Sequence, residues 1–348
     1  MSSNVNGPNG SPRRGVYLIS TERSGSNLLR SILNTHSEIA APHPIETGYP
    51  WQYTNSPENF SRPKRRRLVR DILLNKDYSF HPLTVQLDVR RIHDLLEKCD
   101  EKSFLGIQNA IYSETLRQRD ASFWVSKYPR LWSWIDEAAS FYDEFQVIYL
   151  VRDPRDVVLS FKTSKVGDYH PYFNAQRWRD DQIHGIELLD ELENIHLIRY
   201  EDLLSDSEEE VKDVCSFLDI EYEPEMLRFY QTDDAKAVAK SSDVFKNVSS
   251  PIDESNSGKF KNQLPEKEVK ITEKVVHEQM NYFDYEPMAD VAELESLDIP
   301  ESKIKEMNEQ QFKEGTRHQW RQNPGEEIKS FLSGSFTRYM ILRYGILS

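Results

Sequence analysis

The stretch "ISTERSGSNLLRSIL", residues 19–33, closes an apolar run that begins at Gly15 ("GVYLIS", 15–20) and opens a segment with an apolar helical face. Between them stand Arg23, Ser24, Gly25, Ser26 and Asn27. A strand that ends at Ser20 and a helix that starts near Gly25 aim free backbone N–H groups at whatever sits on the turn. The first amides of a helix have no internal partner, and the helix dipole adds positive potential there. Arg23 supplies a full charge beside them. Two readings of this stretch are open: an anion site, or a helix capped by Ser24 with Arg23 in solvent. A nucleoside-triphosphate loop needs G-x-x-x-x-G-K-[ST]. Here no earlier glycine opens the turn and no Gly-Lys follows, so a phosphate cradle on this turn lacks the Mg²⁺-binding apparatus.

Further along, "FWVSK" (123–127), "QVIYLVR" (146–152) and "IHLIRY" (195–200) are short apolar runs rich in Val, Ile and Tyr, as buried strands are. "LWSWIDEAASFY" and "DVVLSFKTS" keep helical spacing, with Pro154 at an expected first turn. Strand, crossover and strand again predict an α/β fold, a P-loop-like parallel β-sheet flanked by helices, whose ligands gather at the carboxyl ends of the strands. Residues 1–14 read as a disordered lead-in and 15–287 as the main domain. Within it, 45–120 reads as a helical, loop-rich insertion on the substrate side, and 288–348 as a C-terminal helical extension.

Composition narrows the function. The 348 residues carry a formal net charge of −14, which argues against nucleic acid as a partner, since phosphate backbones need a basic face. No stretch reaches the length of a transmembrane span. Cys99 and Cys215 lie far apart, and the N-terminus offers no secretory apolar run, so the expectation is a reduced, cytoplasmic enzyme. No H-E-x-x-H, cysteine pair or acidic calcium loop points to a metal.

A second constellation reinforces the anion reading. "VIYLVRDPRDVVLSF" places Arg152 at the end of a buried strand and Ser160 eight residues on, two turns into the next helix. Arg152, Arg155 and Ser160 are expected to converge on a further phosphate, although R-D-P-R-D also reads as a salt-bridged helix start.

With these residues in view, "RSGSNLLRSILNTHSEI", "WVSKYPRLW", "VIYLVRDPRDVVLSF", "LIRYEDLL" and "SGKFKNQL", in this order, resemble the sulfotransferases that use 3′-phosphoadenosine 5′-phosphosulfate (PAPS), especially bacterial members and those similar to tyrosylprotein sulfotransferases. The resemblance spans residues 15–287, is faint over 45–120 and is absent beyond 288. It implies that Arg23, Ser24, Gly25, Ser26, Asn27 and Leu28 hold the 5′-phosphosulfate. It further implies that Arg152, Ser160 and Lys259 bind the 3′-phosphate, that Tyr200 lies near the nucleotide, and that Lys127 contacts the sulfuryl group and the leaving oxygen. Tyrosylprotein sulfotransferases carry a glutamate base after the first helix; aligned without gaps from Arg23, His43 stands there, with Glu46 as runner-up. Cytosolic sulfotransferases use a histidine after the lysine, where this chain has Tyr128. A histidine between two prolines also suits a surface loop, and His36 reads as structural.

The implied reaction moves a sulfuryl group in line from PAPS to a hydroxyl or amine of an unidentified acceptor, leaving 3′,5′-adenosine bisphosphate, with no metal required. The rival readings are a P-loop-like small-molecule kinase, which should show a loop lysine and a Mg²⁺-holding acid, and a non-catalytic nucleotide-binding module. Tyr49, Trp51, Tyr53, Phe60, Tyr78 and Phe80 suit either a pocket lid or a small core. The basic run "RPKRRRLVR" (62–70) reads first as a solvated helix face, and otherwise as a grip on an anionic acceptor or lipid surface. The terminal "FTRYMILRYGIL" could dock on the domain, pair with a second subunit or lie on a membrane.

Overall fold

The computed structural model describes residues 13–44, 60–75, 85–99, 103–128, 131–164, 167–168, 170–241 and 243–310. Five strands form one parallel sheet: β1 (Arg14–Ser20), β2 (Ile39–Ala40), β3 (Phe123–Lys127), β4 (Glu144–Val151) and β5 (Ile195–Arg199), in the order β2-β3-β1-β4-β5. The four apolar runs in the sequence are β1, β3, β4 and β5. The two-residue β2 was not foreseen, being too short to show any periodicity.

β1 is the centre. Val16 faces Val125 and Leu18 faces Lys127 on one side, and Arg14 through Ser20 pair with Glu144 through Leu150 on the other. β4 in turn pairs with β5 up to Val151↔Arg199. The strand side chains alternate between two helical layers, as the pleat requires. Val16 and Leu18 pack with Leu29, Ile32 and Leu33 of α1 (Ser26–Leu33), and with α8 (Tyr200–Ser205) and α9 (Ser207–Phe217). Tyr17 and Ile19 face the opposite layer. This holds α2 (Arg62–Asn75), α3 (Val89–Lys98), α4 (Phe104–Arg119), α5 (Ile135–Phe141), α6 (Pro154–Thr163), α7 (Pro171–Glu191) and, later in the chain, α12 (Glu266–Tyr282). α10 (Asp233–Ser241), α11 (Phe260–Gln263) and α13 (Val291–Ser296) follow later in the chain.

α6 starts with Pro154 in its first turn, as expected, capped by the Asp153 carboxylate accepting from the Arg155 amide at 2.8 Å. α2 covers the basic run. Arg66, Arg67 and Arg70 stay exposed, Arg62 pairs with Glu97, and Arg65 turns inward to donate to the Leu96 carbonyl. Phe60 is buried, whereas Tyr49, Trp51, Tyr53, Tyr78 and Phe80 lie outside the described residues, as does the terminal segment from 311. Beyond Pro287, residues 301–310 are helical and dock on α7: Asn308 donates to Asp168 and accepts from the His170 amide. Among the described residues, no helix is long and apolar enough to cross a membrane.

Contact between α7 and β4 leaves no room at Gly185. The buried Tyr149 hydroxyl, which donates to Gln182, fills the space a Cβ would take there. Gly185→Ala is expected to destabilise the fold by about 1–3 kcal/mol, read as a lower urea midpoint at unchanged slope; an unchanged midpoint would show that this contact is slack.

Candidate functional site

The strand order changes direction around β1, so the carboxyl ends of β1, β3 and β4 open on one crevice, the place where sheets of this type bind ligands. The turn after β1 passes twice through the left-handed region, at a strain cost for the non-glycine residue. Arg23 has a φ of 74° and Gly25 a φ of 94°, both left-handed. Gly25 is the helix N-cap, with no side-chain cap bond. Ser24 is not the cap; it is fully buried, and its hydroxyl oxygen has no hydrogen-bond partner. Among the described residues, the amides of Glu22, Arg23, Gly25, Ser26 and Asn27 find no acceptor within the chain. The amide of Leu28, expected in the same cradle, donates instead to the Gly25 carbonyl at 2.8 Å. The capped-helix reading therefore gives way to a turn of unpaired amides closed by Gly25.

Arg23 is not in solvent either. Its Nε donates to the Ser160 hydroxyl at 3.1 Å, which brings the α6 residue to the loop. Arg152, at the end of β4, donates from Nη1 to the Arg23 carbonyl at 3.1 Å and from Nη2 to the Asn256 carbonyl at 2.7 Å. Its guanidinium lies over the Tyr200 ring at 4.4 Å, and its Nε is buried without a partner. The same Tyr200 ring rests on Gly25, where any Cβ would collide with it. Lys259 Nζ donates to the Asn256 side-chain oxygen at 2.6 Å, so Arg152 and Lys259 meet at one residue. Burial first, and then the like charge of Arg152, lower the pKa of Arg23 against the opposing pull of Glu22. Two guanidiniums and an ammonium around a nest of free amides form a strong positive field on an acidic chain.

Arg155 does not join them. Its fork closes on Asp153 at 2.7 Å and Glu273 at 2.7 Å, over the Phe260 ring, inside the protein. The expected convergence of Arg152, Arg155 and Ser160 is thus corrected to Arg152, Ser160 and Arg23, because the adjacent carboxylates capture Arg155. Asp156 reaches further, accepting from the amides of Gly258 at 2.7 Å and Phe260 at 2.9 Å, and so pins the Lys259 segment to the site.

Lys127, at the end of β3, donates to the Asn27 side-chain oxygen at 3.0 Å. Desolvation lowers its pKa to about 8, assisted by Arg30 and Arg23 and opposed by Glu22. β2 and β3 pair at Ile39↔Phe123 and Ala40↔Trp124, and His43 follows three residues after that ladder ends. His43 is 1 % exposed and packs edge-on against Phe245 at 5.1 Å, which removes the surface-loop reading. Glu46 lies outside the described residues. His36 is structural: its Nε2 donates to the Glu221 carbonyl at 2.8 Å and its Nδ1 accepts from the Glu38 amide.

Several supporting residues gave no signal in the sequence. Trp178 and Gln182, one turn apart on α7, donate to the Arg152 carbonyl at 3.0 Å and to the Thr21 hydroxyl at 2.7 Å. Arg177 pairs with Glu22 at 2.9 Å at the loop's mouth. Their partners are more than twenty residues away in the chain, so no local pattern marks them.

A sequence profile described as "Sulfotransferase family" matches residues 15–224. The chain belongs to the sulfotransferase family. Among solved structures, this sulfotransferase is similar to the sulfotransferase domain from the curacin biosynthetic pathway, at 25 % identity with a TM-score of 0.55, over 79 % of this chain and 99 % of that one. The sulfotransferase domain from the Synechococcus PCC 7002 olefin synthase shares 19 % identity with a TM-score of 0.57, over 82 % of this chain and 98 % of that one. None of the curated proteins matches the chain. The enzyme is a transferase of sulfuryl groups, which sets aside both the kinase and the non-catalytic module, and its parallel sheet is the one these structures share.

The ammonium of Lys127 should titrate near pH 8 in the free enzyme, charged well below that value and neutral well above it. Following its Cε and Nζ resonances by NMR checks this; a midpoint at the ordinary 10.5 would mean that water, not protein, surrounds it.

Proposed function

We propose that this sulfotransferase uses PAPS as its donor and transfers the sulfuryl group to a hydroxyl or amine of an acceptor, with Lys127 and His43 on either side of the transfer. The observation that carries the reading is the Arg23–Arg152 pair, two cations joined through one backbone carbonyl beside amides with no acceptor. Like charges held this close favour a dianionic guest over a neutral one. The buried, unpartnered Arg152 Nε and Ser24 hydroxyl supply further polar atoms for such a guest.

In this assignment the turn from Arg23 to Asn27 grips the 5′-phosphosulfate, with Leu28 contributing packing rather than its amide. Arg152, Ser160 and Lys259 take the 3′-phosphate, and Tyr200 lies by the nucleotide. When bound, the phosphosulfate supplies an activated sulfuryl group. Lys127, charged and held by Asn27, offers a fixed donor where negative charge gathers on the leaving oxygen. His43 Nδ1 or Nε2, in the neutral imidazole, takes the acceptor's proton. Positioning and electrostatics do most of the lowering of the barrier, with no metal called on.

Calorimetry with 3′,5′-adenosine bisphosphate and with 5′-AMP tests the donor assignment. The bisphosphate should bind far more tightly, and Arg152→Ala should remove most of that difference, on the order of 2–5 kcal/mol for a desolvated charge contact. Equal affinity for the two nucleotides would overturn it.

The base is tested by substitution. His43→Ala should lower turnover by roughly 10²-fold at nearly unchanged donor affinity. Near-normal turnover in His43→Ala, together with loss in Glu46→Gln, would transfer the role to Glu46.

A further inference from the structure

α1 is apolar where it meets the sheet but carries a polar stripe at Asn27, Arg30 and Asn34, spaced i, i+3 and i+7 and therefore on one face. Each member spends its side chain on a strand exit. Asn27 accepts from Lys127 at 3.0 Å. Arg30, 0 % exposed, donates from Nη1 to the Ala41 carbonyl at 2.7 Å and from Nη2 to Asp234 of α10 at 2.8 Å. The Asn34 side-chain oxygen accepts from the Ala41 amide at 2.9 Å and from Arg119 of α4 at 2.7 Å. The β2–β3 ladder stops at Ala40↔Trp124, so Ala41 has left the sheet, and α1 takes both of its backbone polar groups. His43 follows two residues later.

We propose that Arg30 is a positioning residue for sulfuryl transfer, the member of this stripe that sets the His43 segment against Lys127. The inference rests on the roles given to Lys127 and His43 above. A buried guanidinium is an expensive way to fill space, since desolvation offsets much of what its ion pair gains. What an arginine adds over an apolar residue is a rigid fork, here joining the strand exit at Ala41 to α10 at Asp234. Asn27, one turn earlier on the same helix, fixes the lysine, so one rigid element sets both sides of the transfer. A shift of about 1 Å between such groups is enough for losses on the order of 10²-fold.

The test compares Arg30→Lys, which keeps the charge and loses the fork, with Arg30→Met and Asn34→Ala. Each is measured for binding of 3′,5′-adenosine bisphosphate, for hydrogen exchange over residues 39–44, and for kcat and KM of PAPS hydrolysis with water as acceptor. The expected result is bisphosphate affinity within about threefold of wild type, faster exchange confined to 39–44, and kcat lower by roughly tenfold or more at little change in KM. The charges facing Lys127 are Glu22, Arg23 and Arg30. Arg30→Met should therefore raise the Lys127 titration seen by NMR by removing a like charge, while Arg30→Lys leaves it closer to wild type, so a kcat loss in Arg30→Lys reports the fork and not the charge.

Folded Arg30→Lys with wild-type kcat, or with nucleotide affinity and kcat falling in step, would overturn the proposal. Should Arg30→Met not fold, Arg30→Lys and Asn34→Ala decide by the same measurements. If the wild type itself does not distinguish the bisphosphate from 5′-AMP, the donor-site reading fails first and takes this inference with it; if it does and the variants are normal, only this inference falls.

Discussion

Two cations forced together at the end of β1 set the terms for everything around them. Arg152 reaches across to the Arg23 carbonyl, and Arg23 can present that carbonyl only because its own backbone is left-handed. The conformation is unfavourable for a residue with a Cβ, and like charges at close range add to the strain. The surroundings compensate residue by residue. Tyr200 lies against both Arg152 and Gly25, Ser160 accepts from Arg23, and Trp178 and Gln182 hold the ends of the two strands from behind. The turn is thus preorganised for negative charge, the condition under which electrostatic stabilisation is strongest.

The acidic residues nearby make their closest contacts elsewhere. Asp153 and Glu273 neutralise Arg155, Asp156 binds two amides, and Glu22 is paired with Arg177. A carboxylate left to close on Arg152 or Arg23 would quench the field. The 3.8 Å separation between Arg152 and Asp156 is a loose approach compared with the hydrogen bonds that Asp156 makes to Gly258 and Phe260.

Local signals made the four long strands, the turn and the Pro154 helix start legible in the sequence, because each is written in a run of neighbouring residues. Arg23 and Arg152 stand out in the sequence because each follows the end of an apolar run, and Ser160 because it lies two helical turns beyond Arg152. Arg155 misled because R-D-P-R-D offers two arginines of equal standing, and only the three-dimensional placement of Glu273, more than a hundred residues on, decides which one turns inward. Ser24 left two readings open because a hydroxyl before a glycine looks like a cap, while the glycine's freedom at positive φ allows it to start the helix unaided. The tie between Lys127 and Asn27, and the clamp on Ala41, have no local signature at all; they depend on how α1 lies over the exits of β2 and β3.

The hold of Asp156 on Gly258 and Phe260 spans just over a hundred residues of chain. Contacts of that separation close late, since the loop's entropy must be overcome before the contact returns anything. On the ribosome, a nascent chain has its sheet strands through β5 well before it has residue 260, so during synthesis the cradle exists as an incomplete half-pocket. The Lys259 segment joins the Arg152 side only when the final third of the domain emerges, so its closure onto Asp156 is in this sense a report on the completion of folding.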